Sequence, residues 1–344
     1  MGQGQEIKTR TEPHLEIQNL FELNYSVFGV TTLQERGEIF FFYRPKVDKE
    51  EAHGAEDVQR LYIVLRPESG ERPVEDKQDP HSGKEGSINT KSNNSDQNGS
   101  GKSTAIAAEG GHGKQKVKIE KQPLLRLIVM GRKSLPDPRK RSRPYWGFVE
   151  MVTTDVHHVK TALKGEEYDT STRGHRHNSP ARALGEGIYR ILRHNPGKRM
   201  HTHLIYKLEF PPEDEKNEPQ ECLNIERQAS FLIQIKNPDQ HAISAGSAAS
   251  SRGLQNKRKA MFPAHLQGQF GQSRYAPADP PDFLNYEGCE FLLISASDDI
   301  EDELGLDLKT EQAQTGESNE SCSDLVKTFG ETASTKALFQ GTWV

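Results

Sequence analysis

Hydrophobic and polar positions along the chain follow two rhythms. Unbroken apolar stretches occur at 38–47 (EIFFFYRPKV), at 57–66 (DVQRLYIVLR) and after Pro123 (LLRLIVMGRK). All three are rich in aromatic and β-branched residues and stop at Pro or Gly, which predicts strands, the last of them a buried one. A period of two governs 187–194 (GIYRILRH) and 201–210 (HTHLIYKLEF), where Tyr189, Ile191, Leu204, Tyr206 and Leu208 fall on one side. Further strands are expected at 146–153, 230–238 and 290–296, with ECLNI pairing SFLIQIKNP. Asp155 is placed to cap one short helix whose apolar face is Val156, Val159 and Leu163. Eight or nine strands with no alternating βα pattern predict a mainly β (α+β) fold. We expect a single antiparallel sandwich or barrel-like domain with one short helix and long disordered insertions.

Composition divides the chain. Residues 1–37 are mostly polar and read as a flexible N-terminus, with 20–34 as a candidate insert. Residues 38–297 read as the β-rich domain. It is interrupted by 68–121, nearly devoid of large apolar residues, and by a Ser/Ala/Gly linker at 240–256. Residues 298–344 read as an acidic flexible tail. Counting glycine and omitting tyrosine, about 39% of the 344 residues are apolar, below the usual ~45–50%, as expected of a compact body diluted by solvated segments. No apolar run approaches the ~18 residues of a membrane span. MGQGQEIKTR lacks a signal-peptide core, and the three cysteines suit neither a disulfide framework nor a zinc knuckle. A cytoplasmic or nuclear location is therefore expected, with no membrane partner.

The net charge of −5 conceals a strong segregation. Residues 132–207 carry sixteen Lys and Arg against seven acids, with seven of the thirteen histidines. Residues 298–324 carry ten acids against Lys309 alone. If Asn195-Pro-Gly-Lys198 closes a tight turn, Arg190 faces His203, Leu192 faces His201 and His194 faces Arg199. The non-core side of that hairpin then collects Arg190, His194, Arg199, His201 and His203. The loop 170–183 adds Arg173, His175, Arg176, His177 and Arg182. These ten residues form the candidate site.

Three readings apply to it: a solvated outer face, an anion site using guanidinium and imidazole donors, or a metal site on His201 and His203 with His175 or His177. The many arginines, and the lack of a carboxylate on that face, weigh against a cation. Two phosphate-loop look-alikes fail on spacing: Asn98–Thr104 has Asp96 where a P-loop needs Gly, and Gly185-Glu-Gly187 has Arg190 where a dinucleotide fingerprint needs Gly. The basic runs Arg139–Arg143 and Lys257–Lys259, with Trp146 as a stacking surface, give a weaker nucleic-acid reading.

The segments GEIFFFYRPKV, DVQRLYIVLRPESGERP, IVMGRKSLPDP, RPYWGFVEMVTT, TRGHRHNSPARALGEGIYRILRH and MHTHLIYKLEFP resemble a plant family, with shorter bacterial relatives, whose members carry the label BTB/POZ domain protein of TNFAIP type. The resemblance spans the ordered body and carries over no catalytic residues. The label implies a protein-interaction adaptor with a helical dimerisation surface, whereas the residue pattern predicts strands. The expected function is a non-catalytic binding module without cofactor or metal. It would take a small anionic ligand or an acidic protein segment on the Arg/His face, and the acidic tail would compete for that face. The alternative is a His- or metal-dependent hydrolase or isomerase.

Overall fold

The computed structural model describes residues 23–26, 29–68, 70–75, 114–140, 143–172, 174–195, 200–212, 217–239, 259–304 and 324–343. Several sequence expectations lie outside those residues: most of the 68–121 insertion, the 240–256 linker, the Asn98–Thr104 look-alike, Lys257 and Arg258, the Pro196–Lys198 turn, Arg173 and Arg199. In chain order the strands are β1 (Leu23–Ser26), β2 (Gly29–Pro45), β3 (Val58–Pro67), β4 (Glu71–Glu75), β5 (Lys114–Lys118), β6 (Leu125–Met130), β7 (Tyr145–Thr153), β8 (Glu166–Thr170), β9 (Gly174–Asn178), β10 (Arg182–Asn195), β11 (His201–Phe210), β12 (Gln228–Lys236), β13 (Tyr275–Pro277) and β14 (Glu290–Ser297). The helices are α1 (Val156–Leu163), α2 (Glu218–Cys222), α3 (Ala264–Gln267), α4 (Ile300–Leu304), α5 (Asp324–Phe329) and α6 (Lys336–Gln340).

The fold is mainly β. Eight antiparallel strands close a barrel in the order β2-β10-β11-β12-β14-β7-β6-β3, with β3 returning to β2. Closure leaves no open edge in the barrel wall. Alternate residues of each strand fill the interior, among them Ile39, Phe41, Ile63, Ile128, Tyr189, Ile191, Leu204, Tyr206 and Ile233. A second apolar layer explains the unbroken runs. The outward residues Phe40, Phe42, Tyr62, Val64, Leu125 and Leu127 are covered by Val159 and Leu163 of α1 and by Leu325, Phe329 and Leu338 of α5 and α6. Strands β2, β3 and β6 are thus buried on both faces and cannot alternate. Asp155 caps α1 as expected, its Oδ1 accepting the His157 N–H at 2.8 Å.

Four segments differ from expectation. Strand β2 begins at Gly29 rather than Glu38, so the second half of the 20–34 candidate insert belongs to the barrel wall. Its inward Glu35 and outward Leu33 disguise the strand period. Strands β4 and β5 form a hairpin inside the stretch expected to be disordered, anchored by Val74 and Val117 in otherwise polar strands. The segment ECLNI is not a strand. Its first residues end α2, which Asn217 caps by accepting the Gln220 N–H at 3.1 Å. The tail contributes α4, α5 and α6.

One end of the barrel holds a buried ion pair. The Arg126 guanidinium meets the Glu35 carboxylate through two contacts, at 2.5 and 2.9 Å, and both side chains are wholly buried. Tyr189 donates to Glu35 at 2.8 Å, and Arg126 donates to Asn285 Oδ1 at 2.8 Å. Asn285 in turn donates to the Pro73 carbonyl at 3.1 Å, tying β4 to the barrel. Burial alone would raise the Glu35 carboxyl; Arg126, Arg72 and Tyr189 outweigh it and hold the group ionised.

Candidate functional site

The eight candidate residues that the structure describes divide between two places. The β10–β11 hairpin carries Arg190, His194, His201 and His203, and its register departs from expectation. Arg190 lies opposite Ile205, Leu192 opposite His203 and His194 opposite His201. The connection is longer than a two-residue turn, and it shifts every partner by two positions. A shift of two preserves faces, so the core-facing set is as expected.

The opposite side of the hairpin is not an open basic surface. Leu192 and Ile205 there pack with Ile300 and Leu304 of α4. The acidic segment covers this face through its two aliphatic residues. His194 and His203 are nearly buried, with their rings edge to face at 5.6 Å. Each Nδ1 lies 3.0 Å from a hydroxyl, Thr31 for His194 and Ser230 for His203. Burial, then the neighbouring His194 and His201, push the His203 imidazole down to about 3; burial and His201 lower His194. Neutral, hydroxyl-bonded and covered, these two imidazoles are built into the wall and unavailable to an anion.

The second place is the β8–β9 hairpin, whose register sets Asp169 opposite His175 and Tyr168 opposite Arg176. Its inner side leans on the 46–57 loop. The Arg176 guanidinium pairs with Asp48, and the His177 N–H donates to the same carboxylate at 3.1 Å. Those two donors, the backbone one first, hold Asp48 below the ordinary carboxylate range. His175 lies among acids, Nδ1 at 3.3 Å from Asp169 and Nε2 at 3.6 Å from Glu167, and His177 Nδ1 is 3.8 Å from Glu50. Arg182 is committed to the carbonyls of Pro180 and Glu50. Among the described residues of the loop half of the candidate set, Arg176 alone lines a hollow.

That hollow is a cleft of about 450 Å³ lined by Lys46, Val47, Gln59, Tyr168, Thr170 and Arg176. The size suits a small ligand. Around it Lys49 pairs with Asp57 at 2.5 Å and Arg176 with Asp48, while Lys133 donates to the neutral Glu56 carbonyl at 3.0 Å. Lys46 forms no ion pair within 4 Å among the described residues, although its charge reaches Asp57. Burial, and next the charge of Lys46, lower the Lys133 ammonium against the opposing pull of Asp57 and Glu56. The Gln59 Oε1 is buried at the wall without a hydrogen-bond partner. Lys46 and Gln59 escaped the sequence reading because they flank the β2–β3 connection, Lys46 just after β2 and Gln59 near the start of β3, far in the chain from the basic region. The only signal was the exposed lysine directly after Pro45.

Two other hollows are less suited to an anion. One of about 550 Å³ is larger, but Glu38, Glu68 and Glu120 outnumber its Arg66 and Lys121. One of about 330 Å³ beside Arg193 has that guanidinium already 3.2 Å from Asp279. Among the described residues, no group of three or more His, Cys, Asp or Glu side chains is arranged to hold a metal ion, so the four histidines of the metal reading do not converge. Trp146 points outward, half-buried, with the Lys236 ammonium 5.3 Å from its ring centre. No helix among the described residues is long and apolar enough to cross a membrane. Comparison with protein-family models, curated proteins and solved structures gives no match.

Proposed function

We propose that this barrel is a non-catalytic binding module for a small ligand bearing a carboxylate or phosphate, seated between the β8–β9 hairpin and the loop after β2. The observation that carries the reading is Lys46, exposed at the cleft and without an ion pair within 4 Å among the described residues, whereas Arg176 and the neighbouring Lys49 and Lys133 already bind Asp48, Asp57 and the Glu56 carbonyl. An incoming anion would complete Lys46, compete with Asp48 for the Arg176 fork, and rest its body on Val47 and Tyr168. The Gln59 Oε1 at the wall can accept a hydrogen bond from a hydroxyl or N–H of the ligand's body, not from its anionic group. Among the described lining residues no nucleophile is paired with a base, and the reading we favour is binding rather than turnover.

Isothermal titration with inorganic phosphate, phenyl phosphate and benzoate tests it. Saturable binding of at least one probe is expected, weakening as salt rises, with a loss of about tenfold or more in Lys46→Ala and in Arg176→Ala. His201→Ala should bind as the wild type does. Absence of binding by all three probes, or affinity indifferent to both cleft substitutions, overturns the reading.

A further inference from the structure

The C-terminal residues 324–343 lie across the outside of the barrel. Leu325 and Phe329 are buried there, with the Phe329 ring edge to face against Phe40 at 5.4 Å and Phe42 at 5.3 Å. The far end is held by the Ala183 N–H donating to the Ser334 carbonyl at 2.9 Å and by Trp343 on Tyr43. The near end rests on an unbalanced set of charges. Arg66 bridges Glu38 of β2 and Asp324 of α5, and the Leu325 N–H donates to Glu186 Oε2 at 2.9 Å. Glu186 is only 4% exposed. Three carboxylates therefore surround one guanidinium, and the third is sealed beneath α5.

We propose that residues 324–343 form a proton-controlled latch, seated while Glu186 is protonated and released as that carboxyl ionises beside Glu38 and Asp324. The charged groups that act on Glu186 are Glu38 from β2, Arg66 from β3 and Asp324 from α5, while Lys327 of α5 is exposed. Burial first, opposed by the Leu325 N–H and then reinforced by Glu38 and Asp324, raises the Glu186 carboxyl to about 7. The seated form thus holds its proton to higher pH than the released form, in which the carboxyl is hydrated. Seating is complete at low pH and weakens as pH rises from about 4.5 to about 7, by up to about tenfold per unit. Release uncovers Phe40 and Phe42, an aromatic strip on the barrel wall.

Backbone hydrogen exchange of the full chain, corrected for the intrinsic pH dependence of exchange, reads this directly. Protection of peptides from 324–343 should fall by about tenfold or more between pH 5 and pH 7.5, while β6 stays protected. In Glu186→Gln, which keeps an acceptor and cannot ionise, protection of 324–343 should not vary with pH. Constant protection in the wild type, or the same fall in Glu186→Gln, overturns the proposal. Should Glu186→Gln lose protection in β6 as well, Asp324→Asn replaces it: removing one repelling carboxylate should move the fall to lower pH, and an unmoved fall contradicts the latch.

Discussion

The motif His-x-His occurs twice in this protein, and the two copies have opposite fates. In β9, His175 and His177 project from a two-stranded ribbon among Asp169, Glu167 and Glu50. In β11, His201 and His203 stand on the barrel wall, where His203 is 4% exposed, shares its Nδ1 with Ser230 and is held neutral. Spacing puts both imidazoles of each pair on one face, as it does on any strand. What covers the face decides the chemistry: water and carboxylates over β9, the aliphatic side of α4 over the barrel wall near His203.

Charge insertion separates the two copies most strongly. His203→Arg should destabilise the fold by about 3–5 kcal/mol in chemical denaturation, because the new charge has no partner beneath α4. His175→Arg should change stability by less than about 0.5 kcal/mol. Acid titration sharpens the contrast. The folded state keeps His203 neutral well below pH 6.5, where the unfolded chain takes up a proton, so stability falls as pH drops from about 6.5 towards 3. The contribution of His203 approaches about 1.4 kcal/mol per unit, so the difference in stability between the wild type and His203→Gln should change by that slope over this range, while His194 and Glu186 contribute equally to both. Removing single partners gives smaller effects. Ser230→Ala should cost about 1–3 kcal/mol by orphaning the buried imidazole nitrogen, whereas Asp169→Asn beside exposed His175 should cost less than about 0.5 kcal/mol.

Much of the barrel was legible in the sequence, because its eight strands carry either unbroken apolar runs or clean alternation. Strand β2 was read nine residues short, since Glu35 stands on its inward face and finds its partner Arg126 about ninety residues away in the chain. Arg126 itself, a lone charge within LLRLIVM, was the visible clue to that pair. The hairpin β4–β5 was missed because one buried valine per strand does not register in composition. Linear charge counting marks the basic region but cannot tell Arg176, which lines a cleft, from His203, which is sealed in a wall. That distinction depends on α4, whose Ile300 and Leu304 are hidden among acids in the sequence.

The central claim is that the ligand-binding half of the basic region is the β8–β9 cleft and not the β10–β11 wall. Titrating the isotopically labelled protein with phenyl phosphate and following backbone amide shifts by nuclear magnetic resonance tests it most directly. The account predicts saturable shifts clustered at 46–48, 59 and 168–177, with residues 190–194 and 201–205 unmoved. Shifts centred on 190–205, or none above those of added chloride, would contradict it.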